Sequence, residues 1–171
     1  MMLFAIEPLI IMGVAFLWAK SSNLDIGLRA PALRDAWIWI ALFIAYCVAG
    51  WVVALTYPTE IDEGWLNEVL RLSLSEDIVI SVILGPIAEE LLFRGVLFSA
   101  IMRRWGIWAA IILPSILWSL THFQYEPMVI VAFCGAGILL AVIRWKSGSL
   151  YVPLALHAAY NLAVVLDARL F

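Results

Sequence analysis

The sequence predicts an all-α integral membrane protein, with about six transmembrane helices in one polytopic bundle. Three observations carry that expectation. Of 171 residues, 65% are hydrophobic and only 13% are charged, whereas soluble domains are about half apolar and a quarter charged. The mean hydropathy is +1.04. The apolar residues gather in runs close to the roughly 20 residues that cross a bilayer core of about 30 Å, and none shows the alternation of a barrel strand. One transmembrane domain over residues 1–171 accounts for the chain, and a net charge of −3 gives no support for a nucleic-acid partner.

The first apolar segment runs from about Met2 to Ala19, with Pro8 in its first turns, where proline is tolerated. Lys20 follows this run rather than preceding it, the wrong order for a cleaved signal peptide and a suitable one for a retained anchor. After a polar loop from Lys20 to Asp35 comes an uncharged segment, Ala36 to Tyr57. The next stretch holds Glu60, Asp62, Glu63, Glu68, Glu76 and Asp77 against Arg71 alone. Trp65, Leu66, Val69, Leu70 and Leu72 recur there at near-helical spacing, which predicts a short interfacial helix at about 62–75.

The third segment, Ile78 to Ile101, is closed by Arg103-Arg104. The fourth, about Trp105 to His122, is interrupted by Pro114. The fifth, about Pro127 to Trp145, contains Gly135-Ala136-Gly137, small residues that permit close helix approach. The turn Lys146 to Ser149 leads to the sixth, Leu150 to about Leu166. Cys47 and Cys134 both lie within apolar runs and read as packing residues.

Lys20, Arg29, Arg34, Arg103, Arg104, Arg144 and Lys146 fall in or beside loops one, three and five; Arg71 and Arg169 lie on the other side. The positive-inside rule puts those three loops in the cytoplasm and both termini outside it, across a cell inner (plasma) membrane.

Polar residues inside these runs are costly, about 2.5–3.5 kcal/mol each at mid-bilayer on insertion scales, and mark sites by default. Glu89, Glu90 and Arg94 share the third segment. Glu90 and Arg94 are four apart on one face, carboxylate first, the favourable order for an ion pair. Glu89 lies about 100° around the helix and has no intrahelical partner. His122 follows Trp118 by four residues, and Asn161 follows His157 by four, with small alanines between. Taken singly, His122 suits an interfacial position, and His157 with Asn161 suits interhelical hydrogen bonding. By helical rise, Glu89 is about 17 Å and His157 about 18 Å from the outer face, so the two can meet, with His122 nearer that face.

A carboxylate beside a histidine can direct water at a carbonyl, and a histidine beside an asparagine can donate hydrogen bonds to the resulting oxyanion. No serine lies in a recognisable nucleophile motif. Glu89, His122 and His157 are also ligand types for zinc, but not at the spacing of a His-Glu-x-x-His helix, so no metal and no cofactor is expected.

Glu89-Glu90-x-x-x-Arg94, then Trp118-x-x-x-His122, then His157-x-x-x-Asn161, in this order on successive apolar segments, resembles the CPBP family of CAAX-processing and bacteriocin-processing (Abi, Rce1-like) membrane proteins. The likeness covers about Ile78 to Leu166, the expected catalytic core. It implies a glutamic intramembrane endopeptidase built as a helical bundle. By position, Glu89 resembles the catalytic glutamate and His122 its partner in activating water. Glu90 and Arg94 resemble the supporting pair, and His157 and Asn161 the oxyanion pair. Phe93 and Trp118 would form the pocket wall, with Trp118 standing where the family usually has phenylalanine.

The substrate implied is a membrane-anchored protein or peptide, cut near its anchor. An outward-facing site suits removal of C-terminal sorting tags better than prenyl-cysteine processing. A zinc-dependent membrane protease, a non-catalytic immunity or peptide-binding protein, and a proton-coupled transporter are the competing classes.

Overall fold

The computed structural model describes residues 2–56, 67 and 71–170, with the side chains of 2–5 and 170 left aside. Among the described residues there are helices and no strands. Helix α1 spans Met2–Ser21 and α2 spans Leu33–Thr56. Helix α3, residues 74–105, runs without a break through the centre of the molecule, and α4 continues it over 107–120. Helix α5 is Pro127–Ser147 and α6 is Tyr151–Leu170. Most of the expected interfacial helix at 62–75 lies outside the described residues.

The third and fourth expected segments form one run that bends at Gly106, where φ is +82°. Residues with a Cβ avoid that region, so the glycine lets the chain turn between Arg103-Arg104 and the next apolar stretch. Four stretches are long and apolar enough to cross a membrane: Leu33–Thr56, Leu74–Leu120, Pro127–Ser147 and Tyr151–Arg169. Of the six apolar segments in the sequence, two share the bent run, and the first, on α1, is not among the four. With its largely apolar exterior, the chain is a helical, multi-pass membrane protein. Trp37, Val52 and Leu55 stand outward on α2, the arrangement hydrocarbon accommodates and water does not.

Helix α3 starts at a signal visible in the sequence. Ser73 caps it, accepting from the Glu76 backbone N–H, while the Glu76 carboxylate accepts from the Ser73 N–H. Such a reciprocal box satisfies two otherwise orphaned donors. Two wide π-turn segments follow, Ile78–Leu84 and Leu91–Leu97, on either side of Gly85–Glu90. In the first, the Gly85 N–H bonds to the Ile80 carbonyl, five residues back. In the same register the Ser81 carbonyl would pair with residue 86, which is proline and has no N–H. Asn161 on α6 takes that carbonyl, its Nδ2 donating at 2.9 Å. The proline therefore leaves an acceptor inside the bundle, and a polar residue of the sixth segment fills it.

Helix α1 packs along α3, where Ala15 and Ala19 meet Val96. Helix α2 packs on α5 through Phe43, Leu140 and Ile143, and α4 packs on α5 through Ala110, Ile111, Ala141 and Val142. Helix α6 closes against α3 and α5. Close approach relies on the expected small residues of α5. A Cβ on Gly135 would lie 2.5 Å from the Tyr46 hydroxyl, and one on Gly137 would lie 3.1–3.2 Å from Ser115, Trp118 and Arg94.

Candidate functional site

Glu90 and Arg94 are both wholly buried, in the middle of α3. Arg94 Nη1 donates to Glu90 Oε1 at 2.8 Å, and its Nη2 reaches the Gly137 carbonyl at 3.5 Å. Glu90 Oε1 has a second partner, His157 Nδ1, at 3.0 Å. This contact turns the other ring nitrogen, Nε2, away from Glu90. That nitrogen faces Glu89 Oε2 at 3.8 Å. The gap is too long for a direct hydrogen bond. A buried carboxylate thus holds in place the histidine that faces the second carboxylate.

Glu89 sits one residue earlier in sequence and in a different environment. Its side chain keeps 31% of its exposure, while that of Glu90 has none. Trp118 Nε1 donates to Glu89 Oε2. The same indole takes Arg94 over its face at 4.5 Å and meets the rings of His157 and His122 edge-on at 5.4 and 5.1 Å. Trp118 therefore touches Glu89, Arg94, His122 and His157.

His122 lies just beyond α4, in the turn that leads to α5. Its Nδ1 approaches the Trp118 carbonyl at 2.9 Å, and its ring rests on Phe133 at 4.8 Å. The structure thus gathers Glu89, Glu90, Arg94, Trp118 and His157 into one cluster. His122 joins it through Trp118, and Asn161 lies a turn beyond His157 with its amide on the Ser81 carbonyl. Phe93 is buried on α3. Among the described residues, no three His, Cys, Asp or Glu side chains converge as a metal site.

A second polar group lies beside this one. Asp77, which reads as part of the acidic loop, is wholly buried. It accepts from Ser81 Oγ at 2.7 Å and from Arg169 Nη2 at 3.1 Å, and Arg169 also donates to the Leu72 carbonyl. Asp77 and Ser81 stand four apart, a spacing that could have flagged them. Together with Asn161 they tie the far half of α6 to the first wide turn of α3.

A helical membrane bundle with an ion pair and a histidine sealed inside it, beside a half-exposed carboxylate, defines a membrane protein with an internal polar site. The family model described as type II CAAX prenyl endopeptidase Rce1-like matches residues 72–163, more than half of the chain. The chain belongs to that Rce1-like family.

Three curated bacterial relatives align with it. An Escherichia coli protein described as "Uncharacterized 24.3 kDa protein" is 35% identical over 78 residues, covering 44% of this chain and 36% of its own. The Bacillus subtilis protein named "Putative membrane peptidase YdiL" is 25% identical over 134 residues, 77% of this chain and 53% of that one. YpbD of the same organism is 27% identical over 129 residues, 73% and 64% of the two chains. The chain thus spans 36% to 64% of the length of these relatives. No solved structure matches it significantly.

Proposed function

We propose that the protein is an intramembrane endopeptidase of the glutamic type, which cleaves a membrane-anchored protein or peptide near its anchor. The observation that carries this reading is the unequal pair of neighbours. Glu90 is locked between Arg94 and His157, while the Glu89 side chain keeps 31% of its exposure beside a histidine. Membership of the Rce1-like family supports a peptidase, as does the name of the YdiL relative.

In the proposed reaction a water oxygen attacks the scissile carbonyl carbon. Glu89 takes the proton that the water loses. The tetrahedral oxyanion accepts hydrogen bonds from site donors, and as it collapses the carbon–nitrogen bond breaks. The proton passes to the departing amine. A positioned acid–base group of this kind contributes about 10²–10⁴-fold.

The family resemblance assigns His122 to Glu89, and His157 with Asn161 to the oxyanion. The 3.8 Å approach of His157 to Glu89 favours a second division of labour, in which His157 serves Glu89 and Asn161 holds α3 and α6 together. His122→Ala separates the two. The first assignment expects His122→Ala to lose activity as completely as Glu89→Gln. The second expects His122→Ala to retain most of it.

The charge asymmetry of the loops supports an orientation with both termini outside the cytoplasm and a site open to that side. Removal of a C-terminal sorting tag is the substrate class we assign on that basis.

The test of the reading is cleavage of a single-span membrane-anchored reporter by the purified protein in liposomes. Glu89→Gln, an uncharged isostere at a half-exposed position, is expected to stay folded and to lose about 10²-fold or more of the rate. A strong chelator is expected to leave the wild-type rate unchanged. Loss on chelation with recovery on adding zinc would transfer the chemistry to a metal.

A further inference from the structure

A polar concavity lies at the opposite end of α3 from the Asp77 cluster. It is a cavity of about 370 Å³ between the loop after α1, the end of α3 and the end of α5. Arg29, Arg103 and Arg144 line it, with Asn23, Ser99 and the ring of Phe98. Its one acid, Asp25, is already engaged, with one oxygen accepting from the Gly27 N–H at 3.0 Å and the other paired with Arg29 at 3.1 Å.

Neither of the other two arginines has a carboxylate of its own: Arg144 feels the charge of Asp25, which is already paired with Arg29. Among the described residues neither Arg103 nor Arg144 forms an ion pair with a carboxylate. Arg103 donates to the Ser22 carbonyl and Arg144 to the Asp25 carbonyl, at 3.2 and 3.3 Å. Arg144 is only 4% exposed, and its Nε has no partner. A cation that far from water normally has a counter-ion.

The position supplies one. The cavity sits among the positive loop residues, at the level where the apolar helices end. Anionic phospholipids are enriched at the cytoplasmic surface, and basic pockets between membrane helices hold their headgroups.

We propose that this cavity is an anion site that takes the phosphate of an anionic phospholipid headgroup, with Arg103 and Arg144 as its ligands and Arg29 at its rim. The assignment is independent of the peptidase reading, since it uses none of that site's residues.

The test is a binding titration of the full-length protein, delipidated in mild detergent, followed by its thermal midpoint. The probes are phosphatidylglycerol, phosphatidylcholine, sn-glycerol 3-phosphate and inorganic phosphate. Phosphatidylglycerol is expected to raise the midpoint saturably and more tightly than phosphatidylcholine. Arg103→Gln is expected to weaken it about fivefold, the loss typical of one basic residue at a membrane surface. Arg104→Gln, an exposed neighbour outside the cavity, is expected to leave it unchanged.

Equal stabilisation by either soluble phosphate would overturn the lipid as the source while keeping the phosphate site. Wild-type affinity in Arg103→Gln, equal loss in Arg104→Gln, or no preference over phosphatidylcholine would each overturn the site. Arg144→Lys, which keeps the charge and loses the fork, is expected to bind more weakly than wild type; should it fail to fold, Arg103→Gln decides alone.

Discussion

Trp118 shows at the scale of one residue how the site is built. Its N–H reaches Glu89, its face carries Arg94, and its edges meet both histidines. Phenylalanine would keep an aromatic ring at this buried position, remove the donor and leave part of the indole's volume empty. A hydrogen bond to a charged group is worth about 1.5–3 kcal/mol, so Trp118→Phe is expected to slow reporter cleavage about tenfold, with a modest fall in the thermal midpoint from the vacated volume. An unaltered rate would show that the N–H does not position Glu89.

Arg94 poses the converse case. Its loss leaves Glu90 buried and unpaired on that side, so Arg94→Gln is expected to destabilise the protein by about 3–5 kcal/mol, read from denaturant melts in detergent. Much of this was legible in the sequence. The spacing of Glu90 and Arg94 fixes their mutual reach, and the four-residue step from Trp118 to His122 puts those rings together. The contacts of Trp118 with Glu89 and of His157 with Glu90 were not legible, because they depend on how α3, α4 and α6 pack.

At the scale of elements, the wide turns of α3 and the far half of α6 act as one unit. Pro86 leaves the Ser81 carbonyl without a backbone donor, Asn161 fills it, and Asp77 joins Ser81 to Arg169. Removing one member should cost more than removing both, because a lone buried charge is worse than an apolar pair. Arg169→Leu is therefore expected to lower stability by about 3–5 kcal/mol and the double variant Asp77→Leu/Arg169→Leu to recover part of it. Additive losses in melts of the two single variants and the double variant would contradict the coupling.

The helix start at Ser73 could be read from its Ser-x-x-Glu pattern. The π register could not, since apolar runs on both sides carry no periodic sign of a widened turn. The bend at Gly106 escaped for a different reason. A loop was expected after Arg103-Arg104, but a single glycine at positive φ suffices to turn the chain.

For the whole molecule, hydropathy decided the fold class, because apolar runs in this number leave a helical membrane bundle as the only economical arrangement. The crossing count is less directly readable, since two of the apolar segments merge into one bent run. Orientation rests on the loop arginines and lysines. Single cysteines introduced at Arg104 and Glu126, with Cys47 and Cys134 replaced, test it by labelling with a membrane-impermeant maleimide in intact cells. Labelling is expected at 126 and absent at 104 until the cells are opened; the reverse pattern would invert the protein and place the site on the cytoplasmic side.

On the proposed function, Glu89 activates the water that cuts a membrane-anchored chain. This role is tested most directly by mass spectrometry of new protein ends, in membrane and secreted fractions, from cells carrying either the wild-type protein or Glu89→Gln at equal abundance. Cleaved ends near membrane anchors are expected with the wild type and are expected to be missing with Glu89→Gln. Identical ends in the two cultures would contradict that role.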